Sequence, residues 1–141
     1  MSGNGERSVQ VVGPGGIQVC KLVWEQLSDL SFKLTLEMSD SAVSVVDRDL
    51  FQSLDELRLL LESQRLSVAV QGSRKNAWAS GMQRNMTGAH KIYICQAGRH
   101  VSKSDVVNIF DDADPSDLAT VAAQRENYRL WRESVRSVRP V

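Results

Sequence analysis

Two periods divide this sequence, and together they constrain its fold more than any other feature. Between Leu30 and Met38 the apolar side chains alternate: Phe32, Leu34, Leu36 and Met38 fall on one side, Lys33, Thr35 and Glu37 on the other. Period two is the mark of a strand that buries one face. Past Asp47 the spacing lengthens to three and four. Leu50, Leu54, Leu57 and Leu61 make one stripe with Phe51 beside it, which predicts a helix to about Ser63 capped by Asp47 or Asp49. A chain holding both patterns buries its apolar faces by laying helix on sheet.

The other segments follow the same logic. Strands are expected at Val9–Val12, at Ile17–Trp24 after the Gly-Pro-Gly-Gly turn at 13–16, and at Ala42–Val46. Leu66–Val70 and Lys91–Gln96 read as further strands, while 105–110 fits either a helical turn or a strand. Asp114 before Pro115 is a favoured helix start. From there Leu118, Val121, Tyr128, Trp131, Val135 and Val138 recur at helical spacing to the C-terminus. Residues 1–8 read as a disordered lead-in, and 9–141 as a single α+β domain, a mainly antiparallel sheet packed against two α-helices.

A chain of 141 residues with 42% hydrophobic content is long enough to bury roughly two-thirds of its unfolded surface. Its formal net charge of zero argues against a general nucleic-acid binder. Cys20 and Cys95 are too far apart for a zinc knuckle or a redox pair, and each sits in an apolar run where a free thiol packs as a small hydrophobe. The sequence has no apolar run long enough for a transmembrane helix, and the polar N-terminus lacks a signal-peptide pattern. A cytoplasmic location is the expectation.

Neutrality hides polarity along the chain. Between Glu62 and Asp105 there is no carboxylate, yet the tract holds seven Lys/Arg and both histidines. Within it the segment Gly72–Gly88 carries Arg74, Lys75, Trp78 and Arg84, the candidate partner- or ligand-binding residues. Glycines that free backbone N–H groups, with basic side chains and an indole, suit a carboxylate, a phosphate or a protein surface. The alternative is a long connection whose Trp78, Met82 and Met86 plug the core while the charges are solvated.

Other chemistry finds little support. His90 and His100 have no paired nucleophile in a G-x-S-x-G elbow or Cys/His arrangement, so no catalytic residue is assigned. Asp111, Asp112, Asp114 and Asp117 lack the glycine and the terminal Glu of a calcium loop, and are read as negative charge at the start of the last helix. No metal or cofactor is expected. Arg125, Arg129, Arg132, Arg136 and Arg139 form a stripe on that helix, either a docking face or a solvated flank paired to Glu126 and Glu133.

The order of Gly72-x-Arg74, Ser80-Gly81-Met82, Met86, Gly88, Lys91-x-Tyr93, Ile109-Phe110-Asp111 and Thr120–Gln124 with Trp131 resembles a family of small uncharacterised bacterial proteins. The resemblance spans roughly residues 50–135. It implies a bacterial, single-domain, cytoplasmic protein and supplies no activity. The pattern departs at Ala89-His90, where a second glycine is usual, which bears on how tight that loop is.

Two function classes remain. The first is a non-enzymatic protein-binding domain, of the immunity or inhibitor type, that neutralises a toxin or effector with an acidic surface through the basic loop. The second is a nucleotide- or RNA-binding protein, or an enzyme acting on a phosphorylated substrate, using the same cations. A purely structural subunit docked through the arginine stripe is a third possibility.

Overall fold

The computed structural model describes residues 3–139. Four strands follow one another as a meander: β1 (Gly5–Gly13), β2 (Gly16–Gln26), β3 (Phe32–Glu37) and β4 (Ala42–Asp47). Helix α1 (Leu50–Glu62) comes next, then a two-residue strand, β5 (Ser67–Val68), that pairs back on β1. The result is an antiparallel sheet of order β4-β3-β2-β1-β5. A second sheet, β6-β7-β8, is built from Ala77–Trp78, Lys91–Ile94 and Val106–Asn108. Two more helices, α2 (Gly81–Thr87) and α3 (Val121–Val135), complete an α+β domain.

The period-two face behaves as its alternation predicts. Phe32, Leu34 and Leu36 are buried and join Cys20, Leu22, Val9 and Val11 of the neighbouring strands in one core. The leucine stripe of α1, with Phe51, closes that core from the other side. Asp49 caps α1 by accepting the Gln52 N–H, and the Ser53 hydroxyl donates to the Phe32 carbonyl, pinning helix to sheet.

Three expectations are corrected. Residues 5–8 belong to β1, paired with β2 from Gly5↔Trp24 onward, so they are not a lead-in; Met1 and Ser2 lie outside the described residues. The last helix does not begin at Pro115. Asp114 caps a single 3-10 turn over 115–117, and α3 starts only after Thr120, whose hydroxyl accepts the Ala123 N–H. Tertiary bonds hold the intervening chain extended: Arg74 bridges Leu118, and the Ala119 N–H donates to the Ser73 carbonyl. Beyond Val135 the chain leaves the regular helix, and Pro140 and Val141 lie outside the described residues. Finally, Asp111 and Asp112 do not serve α3; they pair with Arg7 of β1 at 2.8 and 3.6 Å.

Candidate functional site

The acid-free tract is mostly ordered secondary structure. Residues 71–73 form a 3-10 turn, 77–78 form β6, and Ser80 opens α2 with a reciprocal capping box to Gln83. Helix α2 ends at Gly88, left-handed at φ 64°, and Ala89 follows with φ 65°. Two left-handed residues in succession reverse the chain sharply, so the loop is tight even though its second position is alanine. The Ala89 N–H donates to the Gln83 carbonyl and the His90 N–H to that of Thr87. Gly88 is needed twice over, because its φ is left-handed and a Cβ there would stand 2.5 Å from the Phe32 ring. Its carbonyl accepts the Leu50 N–H at the start of α1.

That close approach makes a cleft of about 500 Å³ between the C-terminal half of α2 and the β2–β3 turn. Arg48, Arg84 and His90 supply its basic groups, and Phe32 is among its apolar lining residues. Gln26, Asn85 and Thr87 add neutral polar groups, and among the described residues no Asp or Glu lines it. Leu30 and Met86 also line the cleft and are 71% and 77% exposed, with Met82 one helical turn from Met86 at 75%. Burial holds the His90 imidazole below its ordinary pKa. Arg48 makes no ion pair among the described residues; of the acids beside it, Asp47 accepts the Arg48 N–H, and Asp49 caps α1 and lies 3.6 Å from Arg84. Together these groups suit a carboxylate or phosphate carried on an apolar partner.

The four residues singled out by sequence do not share one surface. Arg84 is in the cleft wall but largely committed. Its Nε donates to the Ala79 carbonyl, its guanidinium lies over Phe51 at 5.0 Å, and it stands 3.6 Å from the Asp49 carboxylate. Trp78 is structural: it stacks on Tyr128 of α3 at 4.1 Å and meets Phe51 edge-on at 5.3 Å. Arg74 and Lys75 lie together at a separate shallow hollow of about 440 Å³ beside Asp117. Arg74 donates to the Gln71 side chain within its own turn, whereas Lys75 is exposed and makes no ion pair among the described residues.

Sequence reasoning missed two things. Arg48 lies outside the acid-free tract, flanked by acids, and only the capping geometry at Asp49 hints that it is free. The second is a buried polar clamp. Arg58, 3% exposed on the buried face of α1, donates to the Gln124 side chain at 2.8 Å and to the Ala119 carbonyl at 2.7 Å. Gln124 in turn donates to the carbonyls of Gly72 and Arg74, both at 2.8 Å. Burial pushes the Asp55 carboxyl up and the Arg58 guanidinium down, so desolvation exceeds their attraction across 3.4 Å. The carbonyl bonds, more than that ion pair, give the clamp its stabilising role.

The remaining candidates resolve simply. Cys20 and Cys95 are free and buried, and burial pushes the Cys95 thiol up to about 12, so it stays protonated near neutrality. The arginine stripe of α3 is largely engaged along its own helix, Arg129 with Glu126 and Arg136 with Glu133, while Arg132 lies over Tyr128. Among the described residues no helix is long and apolar enough to cross a membrane. No protein-family model and no curated protein matches the chain.

Proposed function

We propose that this is a non-enzymatic protein-binding domain that captures an acidic partner, with immunity- or inhibitor-type neutralisation of a toxin or effector in the cytoplasm as its role. The observation that carries the reading is the cleft between α2 and the β2–β3 turn. It collects two arginines and a histidine, no carboxylate, and a lip of exposed Leu30 and Met86. Methionine adapts its shape to a partner, and arginine beside apolar surface is a common composition at protein interfaces. The expected contacts shift accordingly. Arg48 and His90 join Arg84 as the anion-facing groups, Lys75 and Arg74 become a secondary patch, and Trp78 drops out as a contact.

A nucleotide or RNA ligand, or a phosphorylated substrate, would use the same cations. Its natural stacking platform is already occupied, because Trp78 and Tyr128 stack on each other. The discriminating experiment is affinity capture from the native cell with wild type and Arg48→Glu. The protein-binding reading predicts a protein captured by wild type and lost from the variant. Capture that is indifferent to Arg48→Glu, or that disappears on nuclease treatment, overturns it.

A further inference from the structure

The two edges of the large sheet are treated very differently. At one end β5 is only two residues long, and the chain just beyond it is covered: the Ala113 N–H donates to the Ala69 carbonyl, and Val70 bridges Asp112. At the other end β4 presents six residues, Ala-Val-Ser-Val-Val-Asp, with no proline or lysine to blunt it. The hydrogen-bond parity can be read from the neighbouring turns. The Leu27 N–H donates to the Ser31 carbonyl and the Met38 N–H to that of Ser41. With the registers on both sides of β3, this turns the backbone groups of Ser41, Val43 and Val45 toward β3. Those of Ala42, Ser44 and Val46 point outward, and none has a partner on that side among the described residues.

We propose that this edge pairs with the same edge of a second copy of the chain, antiparallel and two-fold, centred on Ser44. In that register Ser44 faces its own copy and Ala42 faces Val46, so each outward N–H meets an outward C=O. Just past each end of that ladder lie Asp40, in the 39–40 turn, and Arg48, in the bend before α1, so the two-fold brings Asp40 of one copy near Arg48 of the other. Both are exposed, and neither makes an ion pair within the described residues. Moving the centre to Val43 or Val45 sets Asp40 against Val46 or Leu50 and loses this complementarity. The two flanks of the strand thus carry opposite charges, which a two-fold brings together, and this favours a second copy over an unrelated strand. Val46, 52% exposed in the single chain, gains a neighbour on the outer face.

The test is sedimentation of the full chain over a wide concentration range, with no other protein present. Wild type is expected to form a dimer. Asp40→Arg and Arg48→Asp each replace two attractive pairs by repulsive ones and should weaken the dimer by roughly tenfold. The double variant, D40R/R48D, should restore it. All these positions are exposed, so melting at concentrations where the chain is monomeric should be unchanged. A monomer at every concentration, a dimer indifferent to the single reversals, or a double variant weaker than either single would each overturn the proposal. Self-association is read with no partner protein present, so a failed dimer leaves the cleft reading standing, and Asp40 itself does not line the cleft.

Discussion

Arg58 and Arg48 lie ten residues apart in sequence and put the same guanidinium to opposite uses. Arg58 is buried and satisfied by Gln124 and the Ala119 carbonyl, so its charge is spent holding α1, the 71–74 turn and the start of α3 together. Arg48 is exposed at the cleft, and the acids beside it are committed to backbone N–H groups. A local count of charges would have called Arg48 neutralised and Arg58 solvated. What decides is where each neighbouring oxygen already points.

The contrast can be broken first at the clamp. Arg58→Ala should cost about 3–5 kcal/mol, because it leaves the buried Asp55 with only Arg125 at 3.9 Å and orphans the Gln124 side-chain oxygen and the Ala119 carbonyl. Chemical denaturation measures this, and a loss below 1 kcal/mol would mean the clamp is incidental. The next largest effect is expected at the cleft floor. Gly88→Ala combines a left-handed φ with a 2.5 Å approach to Phe32, and should cost roughly 2–4 kcal/mol. The same denaturation experiment reads it.

The third effect depends on pH. Burial depresses the His90 pKa in the folded chain, so on acidification the unfolded chain takes up the proton first. This contribution to stability is complete above the unfolded value of about 6.5 and is lost as pH falls through the depressed folded value. His90→Gln should flatten that part of the stability–pH curve. An anion bound in the cleft favours imidazolium, so its affinity should rise on acidification in wild type and less so in His90→Gln. Titration calorimetry in buffers of different ionisation enthalpy would show the proton uptake. The smallest stability effect belongs to Arg48→Glu. Unfolding should move by no more than about 0.5 kcal/mol while capture of the acidic partner is lost.

The same contrast explains how much was legible in the sequence. The β3 alternation and the α1 stripe are local patterns that one core enforces, so Phe32 to Leu36 and Leu50 to Leu61 could be read directly. The stretch from 71 to 120 is held by bonds between distant segments, such as Arg74 to Leu118 and Gln124 to Gly72. No window of sequence contains both partners. That is why Pro115 looked like the start of α3 and Asp111 like its complement, when Arg7 of β1 claims that carboxylate. Within the candidate site, Arg84 was identifiable as a cation in an acid-free tract, but its bond to Ala79 and its place over Phe51 were not. For Trp78 the sequence offers both a core plug and a contact, and its stacking on Tyr128 favours the plug.

The central claim is that the cleft, and not the Arg74–Lys75 hollow, receives an acidic partner. The most direct measurement is an amide NMR titration with a short peptide alternating glutamate and leucine. The account predicts shifts concentrated at Arg48, Arg84 to His90 and Leu30, with little change at Arg74 and Lys75 and strong attenuation in Arg48→Glu. Shifts centred on Arg74 and Lys75, or none at the cleft, would contradict it.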